Sequence, residues 1–191
     1  EISLGLVGSE MCIRDSNSAV GRFAGLASSP SGEITTGSNA ICLGNNSVTD
    51  LYCADTSISS SDARDKTDIE RFTHGLSWIN QLSPVTYRWD KRSWYVNDPE
   101  FIDDPTTPID EGAPDGSKKS PRLHVGFLAQ EHLEVEKSHG FGTERDNMII
   151  TDLTEDGKKY GMKYERLVPV LVNAVKELSA KVEALESKLN N

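Results

Sequence analysis

Ser60-Ser61-Asp62-Ala63-Arg64-Asp65-Lys66 is where the chain changes character: Gly, Ser and Asn dominate before it, amphipathic and aromatic segments after it. The division predicts an α+β chain, with a small β-rich piece ahead of a helix/strand domain. The stretch also holds the Ser61 hydroxyl and the Lys66 amine, the two groups of a Ser/Lys nucleophilic mechanism. In that chemistry the amine takes the hydroxyl proton and the alkoxide attacks a carbonyl. Residue types this common also describe a solvated loop, and spacing alone does not separate the two readings. It does set a geometric condition. In a strand, a separation of five puts the side chains on opposite faces, and on a helix it leaves them about 140° apart. Pairing therefore requires a turn between Asp62 and Asp65, or a lysine from another copy.

Working towards the C-terminus, Ile69, Phe72, Leu76, Ile79 and Leu82 recur at three- and four-residue steps, which predicts one apolar helix face ending before Pro84. His74 lies off that stripe and is expected at the surface. Val85-Thr86-Tyr87-Arg88-Trp89 suits a strand. Between Asn97 and Arg122 stand five prolines and the acidic residues Asp103, Asp104, Asp110 and Glu111, so 97–122 reads as an exposed, mobile insertion. Its carboxylates lack the tight alternation of a calcium loop, and no metal site is expected. Met148 to Leu153 and Lys158 to Met162 flank Glu155-Asp156-Gly157, whose Asp-Gly pair suits a hairpin turn.

The closing segment, 164–191, carries Tyr164, Val168, Leu171, Val175, Leu178, Val182, Leu185 and Leu189 in unbroken alternating steps of four and three, a heptad seam. Partner helices are implied, with Lys181 and Glu186 at flanking positions that can pair between parallel chains. A helix lying on its own domain is the plainer alternative. Pro169 marks a kink or a late helix start.

Upstream, residues 17–60 show short apolar pairs between turn residues, as in Val20-Gly21, Ala24-Gly25 and Ile41-Cys42-Leu43-Gly44. Fixing such a backbone costs roughly 1 to 2 kcal/mol per residue, more than so few apolar side chains offset, so neighbouring copies are expected to order it. Residues 1–16 fit nothing downstream and resemble translated adapter sequence fused to a reading frame. The structural alternative is a short helix bearing Ile2, Leu4, Leu6 and Val7. The 191 residues accommodate one full domain and a smaller appendage. A net charge of −10 argues against a nucleic-acid partner. Cys12, Cys42 and Cys53 have no metal-ligand spacing and imply no disulfide framework. With no apolar run near membrane length and no secretory pattern, folding in a cytoplasm is expected, with no membrane partner.

Several of these segments also carry a resemblance. Ser61-Asp62-Ala63-Arg64-Asp65-Lys66-Thr67-Asp68-Ile69 resembles the opening of the intramolecular chaperone auto-processing domain found at the C-terminus of phage tail fibres, tailspikes and endosialidases. Gly75-Leu76 with Ile79, then Leu82-Ser83-Pro84-Val85-Thr86-Tyr87-Arg88-Trp89, is similar to its helix and first aromatic strand. His124-Val125-Gly126-Phe127-Leu128-Ala129-Gln130-Glu131 resembles its Gly-Phe-x-Ala-Gln-Glu signature, and Tyr164 to Leu189 its closing helix. The family pattern usually has Leu where this chain has Asp65.

The resemblance implies a division into 17–60 as the end of a fibre shaft, 61–163 as the chaperone domain with its insertion, and 164–191 as a trimerisation helix. It implies a homotrimer on a virion tail fibre, attached to the rest of the fibre upstream, that releases itself by autoproteolysis at Ser60–Ser61. Ser61 is then the nucleophile, Lys66 the general base and His124 a candidate second proton carrier, and no cofactor is implied. Val and Leu at alternating seam positions favour two strands by simple rules, whereas the family is trimeric, since a folded domain ahead of the helix can set the number. A structural cap with the same fold that never cuts is the alternative, and Asp65 is the residue that suggests it. A membrane-tethered transcription factor with such a domain is disfavoured, because neither a basic domain nor a membrane span is present.

Overall fold

The computed structural model describes residues 16–26, 29–32, 34, 37–54, 59–95 and 112–190. The leader up to residue 15 and the acidic heart of the insertion, 96–111, lie outside the described residues. The architecture is α+β, with small two-stranded sheets and a long C-terminal helix. Two compact units are present, and they interleave along the chain instead of succeeding one another. The first comprises Glu1–Asp50, Pro84–Gly126 and Leu153–Gly161; the second comprises Leu51–Ser83, Phe127–Asp152 and Met162–Asn191.

In the first unit, β1 (Ser18–Val20) pairs in parallel with β2 (Ile41–Leu43). Ala19 and Cys42, in register, point inward, and the Cys42 thiol is held by the Gly25 amide at 3.1 Å and the buried Ser29 hydroxyl at 2.8 Å. Val20, Ile41 and Leu43 face solvent. β3 (Val85–Tyr87) runs antiparallel to β4 (His124–Gly126), with Tyr87 opposite His124. The described end of the insertion is exposed and bonded to the segment that follows β3. Asp90 accepts the Gly116 amide at 2.9 Å and the Tyr95 hydroxyl at 2.6 Å, and the Ser120 amide bonds the Trp89 carbonyl at 2.7 Å. Lys91 reaches the Asn46 carbonyl at 2.6 Å from beside the Trp89 ring, and burial lowers its pKa.

β5 (Thr151–Leu153) and β6 (Tyr160–Met162) pair as the Asp-Gly signal predicts. Gly157 takes a φ of +71°, a backbone region that glycine enters without the usual side-chain clash, and its amide closes the turn on the Thr154 carbonyl.

The second unit holds the apolar core: Trp78, Val135, Ile150, Leu167 and Val170, with Phe72, Ile79 and Phe141 against it. Here one expectation fails. The helix predicted from Ile69 to Leu82 is a single turn, α1 (Leu76–Ile79), and Ile69 is 70% exposed. Trp78, outside the counted stripe, is the fully buried residue. His74 is half-buried in an aromatic cluster with Phe72, Trp78 and His139, not at the surface.

α2 (Ala129–Ser138) contributes a buried polar pair. The Glu136 carboxylate accepts the successive backbone amides of Ile149, Ile150 and Thr151, and His132 Nδ1 lies 3.4 Å from it. Trp78 Nε1 donates to His132 Nε2 at 3.4 Å. Burial alone would push the Glu136 carboxyl up; the His132 ring and the amides of Thr151 and Ile149 outweigh it and hold the pKa at about 2.

α3 (Leu167–Leu189) continues a 3-10 turn over Tyr164–Arg166. Pro169 falls in its first turn, where a missing N–H costs no helical hydrogen bond, so the helix starts late and does not kink there. Leu167, Val170 and Ala174 are buried against the unit. Every seam residue from Tyr164 to Leu189 is exposed, from 45% at Val182 to 85% at Leu189. The helix lies on its own unit, therefore, but by a face other than the heptad seam.

Candidate active site

The segment before α1 supplies the turn that the five-residue spacing requires. Asp62 caps a 3-10 turn over Ala63–Asp65, its carboxylate accepting the Arg64 amide at 2.9 Å, and the Asp65 and Lys66 amides bond the carbonyls of Asp62 and Ala63. Lys66 leaves the turn in extended conformation, φ −121° and ψ 140°. The reversal brings Lys66 Nζ to 2.7 Å from Ser61 Oγ within one chain.

One flanking charge, that of Asp62, is taken up by its neighbour Arg64. Arg64 grips Asp62 with two guanidinium nitrogens, Nε at 3.1 Å and an Nη at 2.6 Å. The Arg64 side chain and amide hold the Asp62 carboxyl below its usual range. Asp62 is thus paired with Arg64, and its charge is directed to the guanidinium. Ser61 and Lys66 are both exposed.

Residues 61–141 match the family model for the chaperone of endosialidase, peptidase S74. This stretch is similar to chaperone-of-endosialidase domains. The match opens on Ser61 itself and takes in the turn, α1, β3, β4 and α2, so three of the four ordered motifs fall inside it. The fourth, the closing helix, lies beyond the matched segment. No curated protein matches the chain at a significant level.

His124 is on β4, in the first unit, where its ring stacks on Tyr87 at 5.5 Å and lies edge-on to Trp89 at 6.3 Å. Among the described residues no cluster of three or more His, Cys, Asp or Glu has the arrangement of a metal site. No helix among them is long and apolar enough to cross a membrane. Cys42 is buried and Cys53 exposed, both as free thiols, and Cys12 lies outside the described residues.

Sequence reasoning did not find the residues that attach the segment after the turn, 72–76, to its unit. Gly75 is pressed against α3, Asn173 bonds the carbonyls ahead of it, and Glu177 accepts the first amide of α1. Their only sequence signal is a polar pair at i and i+4 on an otherwise apolar face of α3, which looks the same as an ordinary solvent-facing pair.

Proposed function

We propose that the chain is the C-terminal part of a phage tail fibre or tailspike, in which the S74 domain brings three copies into register through the α3 seam and then cuts itself free at Ser60–Ser61. The observation that carries this reading is the 2.7 Å approach of Lys66 Nζ to Ser61 Oγ at the first residues of an S74 domain. The exposed seam supports the trimer: eight apolar residues at heptad spacing are left in water by a single chain, and two further copies of the same helix bury them. The outward Val20, Ile41 and Leu43 of the β1–β2 pair suit the same three-fold packing at the end of a shaft.

The chemistry is set by which residue holds which atom. Once desolvated in the assembled state, the Lys66 amine takes the Ser61 hydroxyl proton, and Oγ attacks the carbonyl carbon of Ser60. The leaving group is the amide nitrogen of the same Ser61, which receives the proton. The acyl group has then moved from nitrogen to oxygen, giving an ester between Ser60 and Ser61 Oγ with a free α-amine on Ser61. Water hydrolyses the ester, leaving a carboxylate on Ser60. The turnover is single and needs no cofactor.

A second reading, a non-cleaving trimerisation cap, draws on the exposure of Ser61 and Lys66, because a lysine acts as a base only where it is desolvated. Mass measurement of the expressed chain beside Ser61→Ala and Lys66→Ala separates the two. Self-cleavage gives fragments meeting at 60/61 from the wild type alone. An intact wild type at trimer mass, indistinguishable from Ser61→Ala, leaves the cap.

A further inference from the structure

Residues 59–71 are exposed throughout, and among the described residues the hydrogen bonds they make stay within 61–66. On its C-terminal side the turn runs through the exposed residues 67–71 into residues 72–76, and those are gripped by α3. Asn173 Nδ2 donates to the Phe72 carbonyl at 2.7 Å and to the His74 carbonyl at 3.3 Å. Glu177 Oε2 accepts the Leu76 amide at 3.1 Å. Gly75 approaches so closely that a Cβ there would lie 2.7 Å from both the Ala174 nitrogen and the Asn173 carbonyl carbon.

Asn173 and Glu177 stand one turn apart beside the buried Val170 and Ala174, on the side of α3 turned away from the seam. The carbonyls of Phe72 and His74 find their donor in a side chain of α3, not in a helix of their own. The front of one helix is therefore free for other copies, while its rear fixes the path of the chain that leads to Ser61.

We propose that Asn173 and Glu177 are positioning residues for self-cleavage, tying the Ser61–Lys66 turn to the seam helix so that pairing of the seams determines where the turn lies. The inference rests on the self-cleavage reading. It adds the mechanical link between assembly and cutting: a reaction between groups already in contact is sensitive to displacements of about 1 Å, which cost on the order of 10²-fold in rate.

The test uses the full chain with Asn173→Ala, Asn173→Asp and Glu177→Gln. Asp keeps the shape of Asn but cannot donate, and Gln keeps an acceptor oxygen for the Leu76 amide. Three readouts are measured: cleaved fraction against time, oligomer mass by sedimentation, and hydrogen exchange of the peptide spanning 72–80, the last in chains that also carry Ser61→Ala. The expected result is unchanged oligomer mass in all three, cleavage slowed on the order of 10²-fold in both Asn173 variants with faster exchange over 72–80, and near wild-type behaviour in Glu177→Gln. Wild-type cleavage by Asn173→Asp overturns the proposal, as does a parallel loss of assembly and cleavage, which makes the residue merely structural. Should the wild type stay whole, it is the self-cleavage reading that fails. The exchange comparison then decides the anchor by itself, and unchanged protection in Asn173→Ala removes it.

Discussion

Replacing Glu136 by Gln tests the physics of the core most directly. The carboxylate sits on three consecutive amides and beside the His132 ring, with its pKa held at about 2 against an ordinary value of 4.5. At about 1.4 kcal/mol per pH unit, that gap corresponds to about 3 kcal/mol of stability. The sign comes from the lowered value: the contribution is complete above pH 4.5 and is lost as pH falls towards 2, where the folded form also takes up its proton. Gln retains one acceptor and points an NH2 into a cradle made of donors, so it resembles the protonated acid at best. Urea unfolding monitored by tryptophan fluorescence, at fixed chain concentration and in a Ser61→Ala background, should show Glu136→Gln weaker by about 3 kcal/mol at pH 7. The gap should narrow below pH 4.5 and close near pH 2. A variant as stable as its parent at pH 7, or a gap that persists undiminished at pH 2.5, would refute the account.

The seam gives a second test: Leu178→Lys places a charge in the middle of the exposed heptad row and should dissociate the proposed trimer, read by sedimentation, while leaving the monomer's circular dichroism near that of its parent. Gly75→Ala forces a methyl against two backbone atoms of α3, neither of which can swing aside, and thermal melting should register a loss of roughly 1 to 3 kcal/mol. If cutting passes through the Ser60 ester, hydroxylamine present during folding should trap a hydroxamate at the end of the Ser60 fragment, visible by mass. A free acid as the only product would argue against an ester long-lived enough to capture.

What could be read from sequence was whatever depends on local period. The seam from Tyr164 to Leu189, the strand at Val85–Tyr87 and the Asp156-Gly157 turn each announce themselves within a few residues. The Ser61–Lys66 spacing likewise demanded a turn, and Asp62, a good cap, supplied it. What was not legible depends on distant partners. The stripe from Ile69 to Leu82 has a helical period, yet Asn173 engages the carbonyls of Phe72 and His74 and keeps that stretch out of helix, so tertiary contacts override the pattern. Trp78 was missed because the stripe was counted around it, and the burial of His74 comes from Phe72 and His139, the latter 65 residues away along the chain. The interleaving of the two units has no local signature at all.

The two-sided character of α3 bears on engineering. Grafting a generic three-stranded zipper in its place, matched residue for residue along the apolar row, would gather three chains by itself. It would also delete the side chains of Asn173 and Glu177 and leave the segment ahead of Gly75 untethered. A swap that works must copy the outer surface of the helix as faithfully as its inner one.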